Sequence, residues 1–307
     1  MTRPISRRKA VTTLAAAAVA PALRRLTLPA QATSVFTRRI PSSGEALPVV
    51  GLGTWITFNV GDDREARDSC TRVMQAFFEA GGRVIDSSPM YGSSQSVVGY
   101  GLATLEPSAL FAADKVWTSS GSEGRSQIEE TRRRWGVSRL DLVQVHNLLN
   151  WEQHLVTLLA LKGEQRIRYV GITTSEGRRH DEIERVMRSH RIDFVQITYN
   201  AADREVERRI LPLAAERGIA VIVNRPFRQG ELTDALRRRP LPVWARDVGC
   251  TSWAQLLLKF IVSHPAVTCA IPATTSVAHV RENLAAATGR MPDESLRMRI
   301  AAEVARL

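Results

Sequence analysis

Four polar side chains lie at or near the ends of short apolar runs, and together they could carry proton-transfer chemistry. Asp86 ends the run VID, Tyr91 follows in the loop SSPMYGSS, Lys115 lies in FAADKVWTS, and His146 ends LDLVQVH. A free tyrosine has a pKa near 10, so it needs a stabilising neighbour to act as an acid–base group at neutral pH.

The remaining three side chains could supply what the tyrosine lacks. Lys115 could provide a positive charge, Asp86 could pair with that ammonium group and keep it charged, and His146 could donate a hydrogen bond to a carbonyl oxygen. Such a set suits reduction of a C=O group, in which hydride reaches the carbon and Tyr91 gives a proton to the oxygen.

Parallel strands with their carboxyl ends at one edge would bring these residues together. From Leu52 onward eight apolar runs predict strands: one near Leu52, then 84–86, 111–118, 140–146, 169–173, 194–198, 220–224 and 267–272. Helical periodicity separates them at 64–80, 127–135, 181–189, 205–217 and 252–262. This alternation predicts an α/β fold, a (β/α)₈ TIM barrel, with an N-terminal β-hairpin from 36–40 and 46–50. The absence of GxGxxG after any strand weighs against a Rossmann site.

The first 32 residues differ from the rest in composition. A basic segment with SRRKAV precedes an Ala-rich apolar stretch and then A-Q-A, a small-x-small cleavage pattern. This segment resembles a twin-arginine export signal, although K-A-V replaces the usual Phe-Leu-Lys continuation. We therefore predict a signal peptide at 1–32 and a barrel domain at 33–307. The export machinery would be a partner, and the protein would be periplasmic or exported.

The alternative is a basic leader or an uncleaved tail on a cytoplasmic protein. In either case the apolar stretch, about 14 residues long, is too short for stable membrane insertion.

Charge and cysteine content narrow the classes of partner. The formal net charge is +11, and six basic residues without an acidic one fall in residues 1–32. The arginine triplets at 132–134 and 237–239 fall on predicted helix ends, where a solvated face is the ordinary interpretation, so we predict no nucleic acid partner. Cys70, Cys250 and Cys269 lack metal-type spacing, so we predict no metal site, and Cys70 and Cys269 are expected to be buried thiols.

Six motifs, in order and in spacing, resemble the aldo-keto reductase family over residues 36–287. They are VIDSSPMYG, FAADKVWTS, DLVQVHN, YVGITTSE, VQITYN and IPATTSVAHVREN. The resemblance implies a (β/α)₈ barrel that binds NADPH (NADP+) across its mouth and reduces a small-molecule carbonyl substrate. It also implies that Asp86, Tyr91, Lys115 and His146 form the catalytic tetrad.

The same resemblance implies the cofactor contacts. Thr173 or Thr174 and Gln196 would hold the nicotinamide carboxamide, and Tyr199 would stack on the ring. The loop RPFRQG, with Arg225, Pro226 and Arg228, would approach the pyrophosphate, and Asn283 would contact the adenine. Thr173 and Thr174 stand where Ser-Asn is commoner in the family.

Selectivity for the 2′-phosphate depends on the segment after Ile271-Pro272. Many NADPH-selective members carry Lys and Arg where this chain has Ala273 and His279. Thr274, Thr275 and Arg281 remain as candidate phosphate contacts, so we expect a real but modest preference for NADPH over NADH.

Trp55, Trp117 and Asn147 are candidate walls of the substrate pocket, with core packing as the alternative for the two tryptophans. The tail after Gly289 is short and lacks aromatic residues, which favours an open pocket. Two other classes stay open: a nucleotide-binding sensory or regulatory module of the same fold, and a Schiff-base enzyme with Lys115 as nucleophile.

Overall fold

The computed structural model describes residues 1–2 and 35–307. Strands β1 (Thr37–Arg39) and β2 (Ala46–Pro48) form an antiparallel hairpin. Eight parallel strands follow: β3 (Leu52–Gly53), β4 (Val84–Asp86), β5 (Phe111–Val116), β6 (Leu140–His146), β7 (Ile167–Thr173), β8 (Phe194–Thr198), β9 (Ala220–Asn224) and β10 (Cys269–Ala270).

Helices connect these strands and follow the last one. They are α1 (Arg64–Glu79), α2 (Ser94–Leu105), α3 (Gly124–Trp135), α4 (Trp151–Gly163), α5 (His180–Ser189), α6 (Ile210–Arg217), α7 (Glu231–Leu236), α8 (Trp253–Val262), α9 (Val277–Ala285) and α10 (Glu294–Val304). Short 3₁₀ segments lie at Glu205–Glu207, Arg228–Gly230 and Val243–Val248. None of the described helices has the length and apolar character needed to cross a membrane.

The sheet closes on itself through a short seam between its first and last strands. Each strand from β3 to β10 pairs in parallel with the next, and parallel bridges join Val50 to Ala270 and Gly53 to Ala273. The Gly53 N–H donates to the Pro272 carbonyl at 3.0 Å. A Cβ on Gly53 would lie 2.7 Å from the Ile271 carbonyl oxygen, so the close approach at the seam requires glycine. The predicted barrel and hairpin are confirmed.

The barrel interior changes from apolar to polar along the strands. Side chains two residues apart share a face, so Ala113 leads to Lys115, Leu142 to Gln144 and then His146, and Phe194 to Gln196. The apolar members form one buried cluster that also contains Ile40 and Leu47 of the hairpin segment. The hairpin therefore covers the amino end of the barrel, and the polar residues are left at the carboxyl end.

The predicted strands agree with the structure to within a few residues, but several helices differ. The predicted helix at 205–217 is broken, because Arg209 has φ −134° and separates a 3₁₀ turn from α6. Helices α2, α4 and α10 were not predicted. All three cysteines are buried, which confirms the prediction for Cys70 and Cys269. The predicted export signal lies outside the described residues.

Candidate active site

A buried ion pair lies beneath the carboxyl end of the barrel. Lys115 Nζ, on β5, donates to Asp86 Oδ1 at 2.5 Å and to the Ser87 carbonyl at 2.7 Å. Asp86 Oδ2 accepts from the side-chain amides of Gln144 at 3.2 Å and Gln196 at 2.9 Å. Burial favours the neutral amine, but the negative charge of Asp86 outweighs this effect, and the pKa of Lys115 is raised. Lys115 is therefore a fixed cation.

Tyr91 lies next to this cation in the loop after β4. Its ring centroid is 5.1 Å from Lys115 Nζ and 5.6 Å from the His146 ring, with the two rings in an edge-on arrangement. Burial raises the pKa of Tyr91, while the Lys115 charge opposes this shift. The sequence predicts a neighbour that favours the phenolate, and Lys115 is that neighbour. The effect of burial on the pKa of Tyr91 is larger, so the resting phenol is protonated and can serve as an acid.

His146 is held in one tautomer by a serine that the sequence analysis did not identify. Burial, assisted by the Lys115 charge, lowers the pKa of His146 to about 2, so the imidazole is neutral. Its Nδ1 lies 2.7 Å from the Ser88 hydroxyl oxygen, which also accepts from the Met90 N–H at 3.1 Å. Among the described residues Nδ1 is the acceptor available to the Ser88 proton. We therefore assign the ring proton to Nε2.

The loop between β3 and α1 is bonded to the loop that carries Tyr91. The Ser93 N–H donates to Asn59 Oδ1 at 2.9 Å, and the Gly61 N–H donates to the Ser93 hydroxyl at 2.8 Å. Gly92 has φ +61°, and a Cβ there would lie 2.3 Å from Asn59 Oδ1. A glycine beside Tyr91 is thus required both by the backbone conformation and by the contact between the loops.

A cavity of about 810 Å³ opens at this end of the barrel. The predicted site residues that line it are Trp55, Asp86, Tyr91, His146, Asn147, Thr173, Gln196, Arg225, Pro226, Thr274 and Asn283. Lys115 lies directly behind Asp86. The Gln196 amide is already bonded to Asp86, and its oxygen accepts from Thr173 Oγ1 at 3.2 Å.

The structure corrects the prediction for Tyr199. This side chain is 0% exposed, and its hydroxyl donates to Glu207 Oε1 at 2.5 Å and contacts the Arg297 guanidinium. Its ring packs on Phe260, with centroids 5.5 Å apart. Tyr199 therefore belongs to the layer between the barrel and the outer helices, and it does not line the cavity.

Five other predicted residues also lie outside the cavity lining. Arg228 forms a two-bond ion pair with Asp203. Arg281 is 65% exposed and comes within 3.8 Å of Glu79. Trp117 does not line the cavity, and at 40% exposed it is not a core residue. The side chains of Thr174 and Thr275 do not line the cavity.

Several lining residues were missed by the sequence analysis. They are chiefly charged or amide side chains from the loops after β7 and β9 and from α9: Glu176, Arg178, Asn224, Arg237, Arg239 and Glu282. Arg178 and Arg225 each approach Glu176 at 3.1 Å. The sequence signal that could have identified the missed loop residues was their position after a predicted barrel strand. No group of three or more potential ligand side chains among the described residues could hold a metal ion.

This chain is similar in sequence to known proteins of one family. The model of the aldo/keto reductase family matches residues 49–301. The methylglyoxal reductase YeaE of Escherichia coli is 28% identical over 256 residues, which cover 81% of this chain and 88% of that protein. The NADH-specific methylglyoxal reductase of the same organism is 26% identical over 234 residues, 64% of this chain and 69% of that protein.

Solved structures share the fold. An aldo-keto reductase from Klebsiella pneumoniae in complex with NADPH superposes with a TM-score of 0.73 at 25% identity, covering 89% of this chain and 95% of that chain. An aldo-keto reductase from Bacillus halodurans in its holo form gives a TM-score of 0.72 at 22% identity, with 88% and 96% covered.

Proposed function

Because the chain belongs to the aldo/keto reductase family, we propose that it reduces an aldehyde or ketone to an alcohol, with NADPH as cofactor and Tyr91 as general acid. One observation carries the proposal. A phenol kept protonated by burial lies between a fixed ammonium group and a neutral imidazole at the wall of a large cavity.

The residues present fit a dinucleotide. Four arginine side chains line the cavity, and guanidinium groups suit the oxygens of a diphosphate: Arg178, Arg225, Arg237 and Arg239. Thr173 and Gln196 offer a hydroxyl and an amide near Asp86 for a carboxamide, and Asn283 lines the cavity wall on α9. When bound, the cofactor would supply the hydride. A similar protein from Klebsiella pneumoniae binds NADPH.

The protein side chains would act on the carbonyl oxygen. His146 Nε2–H would donate a hydrogen bond to that oxygen and orient it, while Tyr91 would transfer its hydroxyl proton to it. Lys115 would stabilise the phenolate left behind, and Asp86 keeps Lys115 charged. Lys115 is a weak candidate for a Schiff-base nucleophile, because its amine is protonated and 0% exposed behind Asp86.

Replacement of Tyr91 by phenylalanine tests the proposal. Tyr91→Phe deletes only the hydroxyl, so turnover of an aldehyde should fall by roughly 10² or more while NADPH affinity stays nearly unchanged. Oxidation of NADPH is followed by its absorbance, with protein starting near Thr33. A substituted enzyme that keeps near wild-type kcat contradicts the assignment. Absence of turnover in the unsubstituted protein would favour the binding-module alternative.

We also propose that the preference for NADPH over NADH is small. Arg281 lies outside the cavity lining, which leaves Thr274 and His279, 3.4 Å apart, as hydrogen-bonding groups near the start of α9. Glu282 lines the same wall and disfavours an added phosphate. One or two hydrogen bonds of this kind support a preference of at most about 10-fold, to be measured as the ratio of the two dissociation constants.

Export remains a proposal based on residues 1–32. The S-R-R motif, the apolar stretch and the A-Q-A pattern support it. Changing Arg7 and Arg8 to lysine should retain the protein inside the cell, whereas the unchanged chain should be processed and recovered outside the cytoplasm. Recovery of both forms in the cytoplasm, uncleaved, would contradict the proposal.

A further inference from the structure

Ile56 lies in the loop between β3 and α1 in a conformation that its residue type disfavours. Its φ is +63°, and the Thr57 N–H donates to the Trp55 carbonyl at 2.7 Å, which closes a three-residue turn centred on Ile56. A β-branched residue with positive φ is strained, because its Cβ crowds the neighbouring backbone. Glycine or asparagine would form this turn with less strain.

Burial does not compensate for this strain. The Ile56 side chain is 61% exposed. Leu148, the other large apolar residue with positive φ among the described residues, is 1% exposed and has core packing to stabilise it. Neither turn geometry nor core packing explains an isoleucine at position 56, whereas a contact that forms in the working enzyme would explain it.

The exposed side chain of Ile56 belongs to an apolar rim beside the catalytic phenol. Trp55 is 36% exposed and Met90, directly before Tyr91, is 43% exposed, and all three side chains line the cavity. The hydrogen bonds from the Ser93 N–H to Asn59 and from the Gly61 N–H to Ser93 fix the loop of Ile56 against the loop of Met90. Apart from Asp86, which ends β4, the charged lining residues come from the segments after β7 and β9 and from α9.

We infer that the apolar rim formed by Trp55, Ile56 and Met90 binds the hydrocarbon body of the substrate, and that Ile56 is a specificity-determining residue. The preferred substrates are aldehydes with an alkyl or aryl body several carbons long, rather than small hydrophilic carbonyl compounds. The inference rests on the proposed function and names the substrate class of that same site. Strain in the turn is the cost of presenting an apolar side chain at a loop position.

A homologous series of aldehydes isolates the contact with the hydrocarbon body. The values of kcat/KM for butanal, hexanal and octanal should rise by about 2- to 4-fold for each added CH₂ group, since a fully buried CH₂ corresponds to about 4-fold. In Ile56→Asn the octanal-to-butanal ratio of kcat/KM should fall about 10-fold. Asparagine tolerates positive φ, so this variant should fold with an unchanged or higher Tm.

Val156→Asn is the matched control, because Val156 is 70% exposed on α4 and outside the cavity lining. It should leave the octanal-to-butanal ratio unchanged. An Ile56→Asn enzyme with the wild-type ratio, or a wild-type enzyme whose kcat/KM does not depend on chain length, would overturn the inference while leaving carbonyl reduction intact.

A binding measurement separates this inference from the proposed function. Binding of 1-hexanol, the alcohol that hexanal would give, is followed by tryptophan fluorescence and should be about 10-fold weaker in Ile56→Asn. Equal binding by both proteins overturns the apolar rim. Weaker binding in the variant, without turnover of any aldehyde in the wild type, overturns the reductase proposal and supports the rim.

Discussion

Ser88→Ala should impair catalysis without changing any residue that touches the substrate. The Ser88 hydroxyl is buried, accepts from the Met90 N–H and donates to His146 Nδ1. In the variant Nδ1 loses its donor, so the ring proton is no longer confined to Nε2. The tautomer protonated at Nδ1 presents an acceptor instead of a donor to a carbonyl oxygen, and this tautomer is inactive in the proposed mechanism.

The size of the effect follows from one neutral hydrogen bond. A net contribution of about 1 kcal/mol changes the tautomer ratio about 5-fold, so kcat should fall by up to about 5-fold. This is less than the loss of roughly 10² expected for Tyr91→Phe, because the acid itself is retained. The affinity for NADPH should not change.

Nitrogen-15 NMR of the histidine rings reports the tautomer directly, with the His146 signals assigned from a His146→Gln sample. Ser87→Ala is the control, because Ser87 is equally buried but its hydroxyl lies 3.2 Å from Ser94 Oγ instead of contacting His146. If His146 keeps its Nε2–H form in Ser88→Ala, or if Ser87→Ala lowers kcat equally, the reasoning about Ser88 is wrong.

Three further predictions concern Arg281, Tyr199 and Asp114. Arg281→Ala should leave the ratio of the NADPH and NADH dissociation constants unchanged, and a loss of NADPH preference would restore Arg281 to the site. Tyr199→Phe should lower the free energy of unfolding in urea by about 1.5–3 kcal/mol and leave NADPH affinity unaltered, because its hydroxyl bonds to Glu207 rather than to a ligand. Burial raises the pKa of Asp114 to about 7. Between pH 4 and 7 the folded state therefore keeps a proton that the unfolded state loses, and the free energy of unfolding should fall by roughly 1 kcal/mol per pH unit as pH rises. Asp114→Asn should flatten that slope in urea titrations, and identical slopes would contradict the assignment.

The barrel and the clustering of Asp86, Tyr91, Lys115 and His146 at its carboxyl end were predictable because strand runs have a strong local signature. The strands at 194–198 and 220–224 are apolar and bounded by polar or glycine residues, and they are observed at those positions. Helix α2 lacks such a signature. It contains Gly99, where a Cβ would lie 1.9 Å from the Arg134 carbonyl oxygen, so close packing against α3 requires a residue that weakens the helical pattern.

The positions of Tyr199 and Arg281 outside the cavity lining have geometric causes that the motifs do not reveal. Gln196 points into the barrel, and Tyr199, an odd number of residues later, points to the opposite side of the sheet. On α9 the lining residues His279, Glu282 and Asn283 share one helical face, which Arg281 does not. Identification of Arg178 needed the conformation of the loop after β7, and identification of Glu282 needed the orientation of α9. Both depend on contacts between residues that are distant in sequence.

The short seam between β3 and β10 has a consequence for how the protein folds. It joins segments from opposite ends of the described chain, so its bridges carry the largest loop-closure entropy in the barrel and should form late. Thr54 and Thr274, which line the cavity, immediately follow the bridged residues Gly53 and Ala273. A molecule bound there would hold the first and last strands together, so slowed amide exchange at Gly51 and Gly53 would report occupancy of the cavity.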